Sequence, residues 1–254
     1  MQSDNISTCI NCGEEASTQY CGLCGQPMQV PQLKWNVLLD ELNQRVLGVD
    51  NRFMRTIIDC TIRPGKVVST FISGNRMKYV SPVGYFLILL TIYITVMSIT
   101  DINMLSFTQA SENAAIDTDK MEGINGFIFS NFRMISLALM PLVILSIYLL
   151  FKNKGYNYIQ TAVLVLYSQA HTLVLVLVMI GVHLFTGWNY GELTLYISFL
   201  YLGYVCMAFY EGNKIWNFIK GILASFLYII IVGLLALIVT IVTLSIKPEL
   251  LEAL

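Results

Sequence analysis

Charge is scarce in this chain of 254 residues. Lys, Arg, Asp and Glu together make up 12%, and the histidines number two. From 155 to 191 no charged residue occurs at all. A water-facing surface cannot be built from such stretches, which excludes an ordinary soluble domain. The first 30 residues contain no Lys or Arg and carry Asp4, Glu14 and Glu15, a balance that repels phosphate and argues against a nucleic-acid partner. Catalytic patterns are also missing: no HExxH, nucleophile elbow, phosphate loop or interfacial carboxylate pair is present, so catalytic residues are expected to be none.

What remains is mostly apolar, at 56%. A transmembrane helix needs about 20 apolar residues. Five segments qualify, at about 80–100, 130–151, 158–186, 192–210 and 217–246. Ser81 and Pro82 open the first as cap and first-turn residue, Lys152-Asn153-Lys154-Gly155 stops the second, and Gly187 to Gly191 turns the chain after the third. The expected fold is an all-α integral membrane protein, a five-helix transmembrane bundle over 80–254. An odd number of spans puts the termini on opposite sides. With the N-terminus inside, the inner side holds twelve Lys and Arg residues and the outer side three, Lys120, Arg133 and Lys247. That asymmetry predicts a cytosolic N-terminus and an external C-terminus. Residues 1–30 lack the basic start and apolar core of a cleavable leader, so the first span is expected to act as its own insertion signal.

Cys9, Cys12, Cys21 and Cys24 form two Cys-x-x-Cys pairs, each followed by glycine, Gly13 and Gly25. Such pairs turn on themselves and aim two thiolates at one ion, and glycine tolerates the positive φ of the turn. Residues 1–30 are therefore expected to be a ribbon with one structural zinc, disulfides or an iron site being the alternatives. Four thiolates leave no open position for catalysis, and a segment this short depends on metal for most of its folding free energy. Cys60 and Cys206, without cysteine neighbours, read as buried small hydrophobes.

Between ribbon and first span, 31–79 carries apolar residues at steps of three and four, from Trp35 through Leu38, Leu42, Val46, Val49 and Phe53 to Ile57. Amphipathic helices follow, broken near Gly48 and Asp50, with a further short one from Pro64 to Gly74 that has Val67, Val68, Phe71 and Ile72 on one face. Eight basic residues accompany them, and Arg63, Arg76 and Lys78 are candidate contacts for membrane lipid headgroups. The alternative is a cytosolic cap packed on the span ends.

Cys9-Ile-Asn-Cys12-Gly13, Tyr20-Cys21-Gly-Leu-Cys24-Gly25-Gln26, Arg63-Pro64-Gly65 and Gly74-Asn-Arg76 with Tyr79 together resemble a family of bacterial inner-membrane proteins known only as a domain of unknown function. The resemblance implies a multi-pass protein of the bacterial inner membrane with an N-terminal ribbon, and no activity.

Within the third span Gln160, Tyr167 and His171 are spaced seven and four apart, on one helical face. They form a candidate intramembrane polar site for a solute or proton, or a set of interhelical hydrogen bonds. Tyr196, Tyr201, Tyr204 and Tyr210 of the fourth span read more simply as packing than as a pathway, and Gly221 with Ser225 as a close helix contact. Two functions follow from different classes. One is a non-enzymatic binding or assembly protein whose ribbon docks a protein partner; the other is a small-solute or ion transporter or channel subunit built on the polar seam. The oligomeric state is open.

Overall fold

The computed structural model describes residues 7–16, 18–28, 51–100, 118–187 and 191–246. The proposed helices of 32–49 and most of the acidic stretch after Asp101 lie outside them.

Two short strands, β1 (Ser7–Thr8) and β2 (Glu15–Ala16), pair antiparallel, with Ser7 opposite Ala16. Among the described residues seven helices follow: α1 (Asn51–Ile62), α2 (Pro64–Ile72), α3 (Pro82–Thr100), α4 (Thr118–Phe151), α5 (Tyr158–Thr186), α6 (Gly191–Phe209) and α7 (Lys214–Ile246). Among the described residues four stretches are long and apolar enough to cross a membrane: Pro82–Thr100, Leu137–Lys154, Tyr158–Thr186 and Lys214–Leu235. Leu193–Phe209 is a shorter apolar helix, so this criterion gives four spans where the sequence suggested five.

Local chemistry accounts for most boundaries. Pro64 occupies the first turn of α2, where a missing N–H costs nothing. Ser81 caps α3, its Oγ accepting from the Gly84 N–H at 3.2 Å. Asn157 and Gln160 form a reciprocal capping box at the start of α5: the Asn157 Oδ1 accepts from the Gln160 N–H at 2.8 Å, and the Gln160 Oε1 accepts from the Asn157 N–H at 2.9 Å. Gly155 and Gly187 take left-handed conformations that end a short 3-10 turn (Lys152–Lys154) and α5.

One boundary differs from expectation. Residues 118–129, which lie before the expected second span at about 130–151, continue α4 as helix, giving 34 residues in all. Charge in the sequence marked where lipid contact ends, and a helix need not end there.

Because the chain alternates direction, the starts of α3, α5 and α7 gather with the ends of α4 and α6, and α1 and α2 are wedged among them. Nearly all of the buried core lies at this end, from Cys60 and Phe71 through Leu90, Ile147 and Leu164 to Val205. The far end has a cluster of three buried residues, Tyr93, Met97 and Ile180. Helix α5 is central, packing on α3, α4, α6 and both short helices. Of its most apolar window 56% is buried, against 17% for α7, which lies at the periphery on α6 and α4.

Glycine permits the closest approaches. A Cβ on Gly65 would lie 2.2 Å from the Ala208 carbonyl oxygen, so α2 rests directly on the backbone of α6. A Cβ on Gly221 would lie 2.7 Å from the Gly203 Cα, which fixes the α6–α7 crossing. The expected small-residue contact at Gly221 thus has Gly203 as its partner. Gly65→Ala is predicted to lower the stability of the detergent-solubilised protein by about 2–3 kcal/mol, since backbone rather than a pliable side chain opposes the methyl group. Gly181→Ala, which meets nothing within 4 Å, serves as the control in thermal unfolding; equal melting temperatures would contradict the contact.

Candidate metal centre and the polar junction beneath it

The two cysteine pairs occupy two turns with the same hydrogen-bond pattern. In the first, the Gly13 N–H donates to the Cys9 carbonyl at 2.9 Å and the Cys9 N–H to Glu14 at 2.8 Å. In the second, Gly25 donates to Cys21 and Cys21 to Gln26, each at 2.8 Å. Gly13 and Gly25 have φ of 81° and 71°, the left-handed geometry inferred from their position after each pair. The four sulfurs all lie within 4.8 Å of one another, with Cys9 3.6 Å from Cys24 and Cys12 3.5 Å from Cys21. A tetrahedral thiolate site with metal–sulfur bonds of about 2.3 Å has sulfurs about 3.8 Å apart, so the cluster has the size of a metal site. Burial opposes charge on Cys24, but hydrogen bonds from the Asn11 side chain, the Gln26 backbone and neighbouring cysteines outweigh it and bring that thiol down to about 6. A thiolate, the form that ligates metal, is thereby favoured at Cys24. At Cys12 the Glu14 backbone bond is outweighed by desolvation and the neighbouring cysteines, which push that thiol up to about 12, so the cluster favours one thiolate held by thiols.

The ribbon sits on the loop between α2 and α3. Gln26, fully buried, donates from Nε2 to the Gly74 carbonyl at 2.9 Å. Asn75 donates from Nδ2 to the Ile10 carbonyl at 3.3 Å. The cysteine cluster is therefore linked to the helical domain through the same loop that carries Arg76 and Tyr79.

Beneath this loop is a polar junction that ties α1 to the bundle. His171, fully buried, lies 3.0 Å from the Thr61 hydroxyl through Nε2 and 3.0 Å from the Tyr85 hydroxyl through Nδ1. Thr61 donates its one proton to the Ile57 carbonyl at 2.9 Å. Its oxygen therefore accepts from Nε2–H, which leaves Nδ1 to accept from Tyr85. The imidazole is a neutral bridge between α1, α3 and α5, with both nitrogens engaged. Tyr167 donates to the Val80 carbonyl at 2.6 Å, and the Val80 N–H donates to Thr56 at 3.1 Å. Tyr167 and His171 thus share one aromatic cluster with Tyr85 and Tyr201. Gln160 does not join them; its amide oxygen is used in the capping box at the start of α5.

Two tyrosines of α6 complete the junction. Tyr201 donates to the Cys60 carbonyl at 2.9 Å and Tyr204 to the Ile62 carbonyl at 2.8 Å. Cys60 is the residue four before Pro64, whose ring nitrogen has no proton to offer it. Tyr196 is exposed and joins no such bond among those described, while Tyr210 is buried and stacks on Phe151. Cys60 and Cys206 are buried single thiols, as read from the sequence.

The three candidate lipid contacts fare differently. Arg63 pairs with Asp59 at 3.0 Å, and Tyr79 donates to the other Asp59 oxygen at 2.8 Å. Desolvation opposes the Asp59 charge, but the Tyr79 hydroxyl, Arg63 and the charge of Lys78 prevail and hold the carboxyl below its ordinary value. Arg76 is buried, with its guanidinium 5.9 Å from the Phe71 ring centre. Lys78 lies over the Tyr79 ring at 5.5 Å. The partners of His171, the Asp59 triad and the ribbon-to-loop bonds were absent from the sequence reading. The one signal for them was Asp59 itself, the sole acid in 51–80 among six basic residues.

Residues 50–94 match one family. It is described as a protein of unknown function, DUF3667, and the match runs from the start of α1 through the 73–81 loop into α3. No curated protein and no solved structure matches the chain. Within the matched segment, Arg63-Pro64-Gly65 now has a physical account: an ion pair, a first-turn proline and a direct backbone contact.

The His171 bridge is open to a double-mutant cycle of Tyr85→Phe, His171→Leu and the pair. A coupling of about 0.6 kcal/mol is expected, typical of interhelical bonds in membranes. Additive effects on thermal unfolding would contradict the bond.

Proposed function

We propose that this chain is a five-span protein of the bacterial inner membrane, with a cytosolic ribbon holding one structural zinc and an external C-terminus. Its role is non-enzymatic, the ribbon docking a protein partner at the membrane. For topology, support comes from the basic residues. Arg52, Arg55, Arg63, Lys66, Arg76, Lys78, Lys152, Lys154, Lys214 and Lys220 all belong to the elements gathered at the α1–α2 end, as a cytosolic face requires. Helix α6, at 19 residues, reaches about 28 Å and would serve as the remaining crossing of a core about 30 Å thick. Zinc is supported by the four-thiolate donor set.

The docking reading rests on one observation. The two knuckle tips are apolar and uncovered among the described residues: Leu23 is 72% exposed, and Ile10 and Tyr20 are also exposed. Exposed apolar side chains on so small a unit mark a protein-binding surface, and the acidic flank of Glu14 and Glu15 favours a basic partner. The transport reading would draw on Gln160, Tyr167 and His171, whose described polar contacts are internal. Docking is therefore preferred.

Ile10→Ser with Leu23→Ser is predicted to keep about one zinc per chain and lose specific crosslinked partners in native membranes, identified by mass spectrometry. Cys21→Ser with Cys24→Ser should lose both. An unchanged partner set in the first variant would sink the docking reading, and full zinc in the second would sink the metal assignment.

A further inference from the structure

Helix α1 has two unlike faces. Phe53, Thr56, Ile57 and Cys60 turn toward the bundle, while Met54, Ile58 and Ile62 are 58%, 51% and 61% exposed. These three are spaced by four and form one stripe. Arg55, also exposed, borders it. The outer face of α2, one residue further along the chain, is polar instead: its exposed residues are Lys66 and Ser69. A cap turned wholly to water would present two similar polar faces.

We propose that the Met54–Ile58–Ile62 stripe is an interfacial membrane surface, immersed in the acyl boundary of the leaflet that holds the α1–α2 end. Arg55 and Lys66 then face the phosphates of anionic lipid headgroups. Three observations choose lipid as the occupant. The stripe cannot roll inward, because Thr61, Cys60 and Ile62 are bonded to His171, Tyr201 and Tyr204. The segment 51–80 has six basic residues against one acid, and that acid is paired with Arg63. The helices that hold α1 in place include α3 and α5, both apolar and long enough to cross a membrane, so α1 is anchored directly on candidate spans. The role expected for Arg76 in lipid binding passes to Arg55 and Lys66, since Arg76 is buried. The surface requires only a membrane protein, and depends on neither the ribbon's partner nor its metal.

The test uses the full chain with Trp35, Trp188 and Trp216 replaced by Phe and a single reporter, Ile58→Trp, or Ser69→Trp as the control. Both are reconstituted in phosphatidylethanolamine–phosphatidylglycerol vesicles containing acyl-brominated lipid. A circular dichroism spectrum matching that of the native chain and a single size-exclusion peak confirm folding. The Ile58→Trp emission is expected to be quenched roughly twofold, and most by bromines near the headgroup end, with Ser69→Trp unaffected. Red-shifted, unquenched emission from Ile58→Trp would mean exposure to water and overturn the proposal. Blue-shifted but unquenched emission would mean cover by protein, either residues 29–50 or a second copy, and would also overturn it. Equal quenching of both reporters would remove the distinction between the helices and overturn it too. For the headgroup part, exchanging phosphatidylglycerol for phosphatidylcholine should lower the melting temperature of the native chain, and less so with Arg55→Ala and Lys66→Ala. No difference between the lipids would refute it.

Discussion

A helix that ends within a packed bundle leaves carbonyl groups without intrahelical partners, and those cut off from water must find a donor within the protein. That demand organises the packed end of this molecule. Pro64 separates α1 from α2 and strips the Cys60 carbonyl of its normal partner, which Tyr201 replaces. Tyr204 does the same for Ile62 and Tyr167 for Val80. Longer donors act at the other helix ends: Lys220 reaches the Leu150 carbonyl at 3.3 Å, Asn217 the Tyr210 carbonyl at 2.8 Å, and Lys154 the Glu211 carbonyl. In each bond the donor and the acceptor belong to different segments, so satisfying the breaks also fastens the helices to one another.

The distribution of the core follows from this. Tyrosine hydroxyls must lie close to the carbonyls they serve, and their rings then fill the space around them. Phe53, Phe71, Tyr85, Tyr167 and Tyr201 pack there with His171. Gly65 lets α2 come close enough to α6 for the tyrosine bonds to form. The ribbon is fixed to the same region through Gln26 and Asn75, at the carbonyl and side chain of the loop that ends α2. Cysteine cluster, loop, short helices and bundle thus form one chain of contacts. At the far end, by contrast, α5 and α7 show apolar side chains to their surroundings, as lipid-facing helices do.

Features set by neighbours in sequence were legible without the structure. The cysteine knuckles, the proline start of α2, the Ser81 cap and the glycine stop at Gly155 depend on a few adjacent residues, and each lies where the pattern put it. The placing of Val67, Val68, Phe71 and Ile72 on one face followed from spacing alone; the first three are buried and Ile72 is partly buried against the same core. Contacts across the chain were not legible. Thr61 lies 110 residues from His171, and nothing in either neighbourhood names the other. Gly65 and Gly203 look like ordinary glycines until the opposing backbone is seen. The extension of α4 to Thr118 escaped because helical content and lipid contact are separate properties, and hydropathy reports the second.

Hydrogen–deuterium exchange on the full chain in detergent, comparing native protein with a Tyr201→Phe, Tyr204→Phe variant, tests the organising role of these bonds most directly. Faster exchange confined to peptides spanning 56–72, with 218–235 unchanged, is the predicted result. Exchange that is the same in both proteins, or raised uniformly along the chain, would contradict the account.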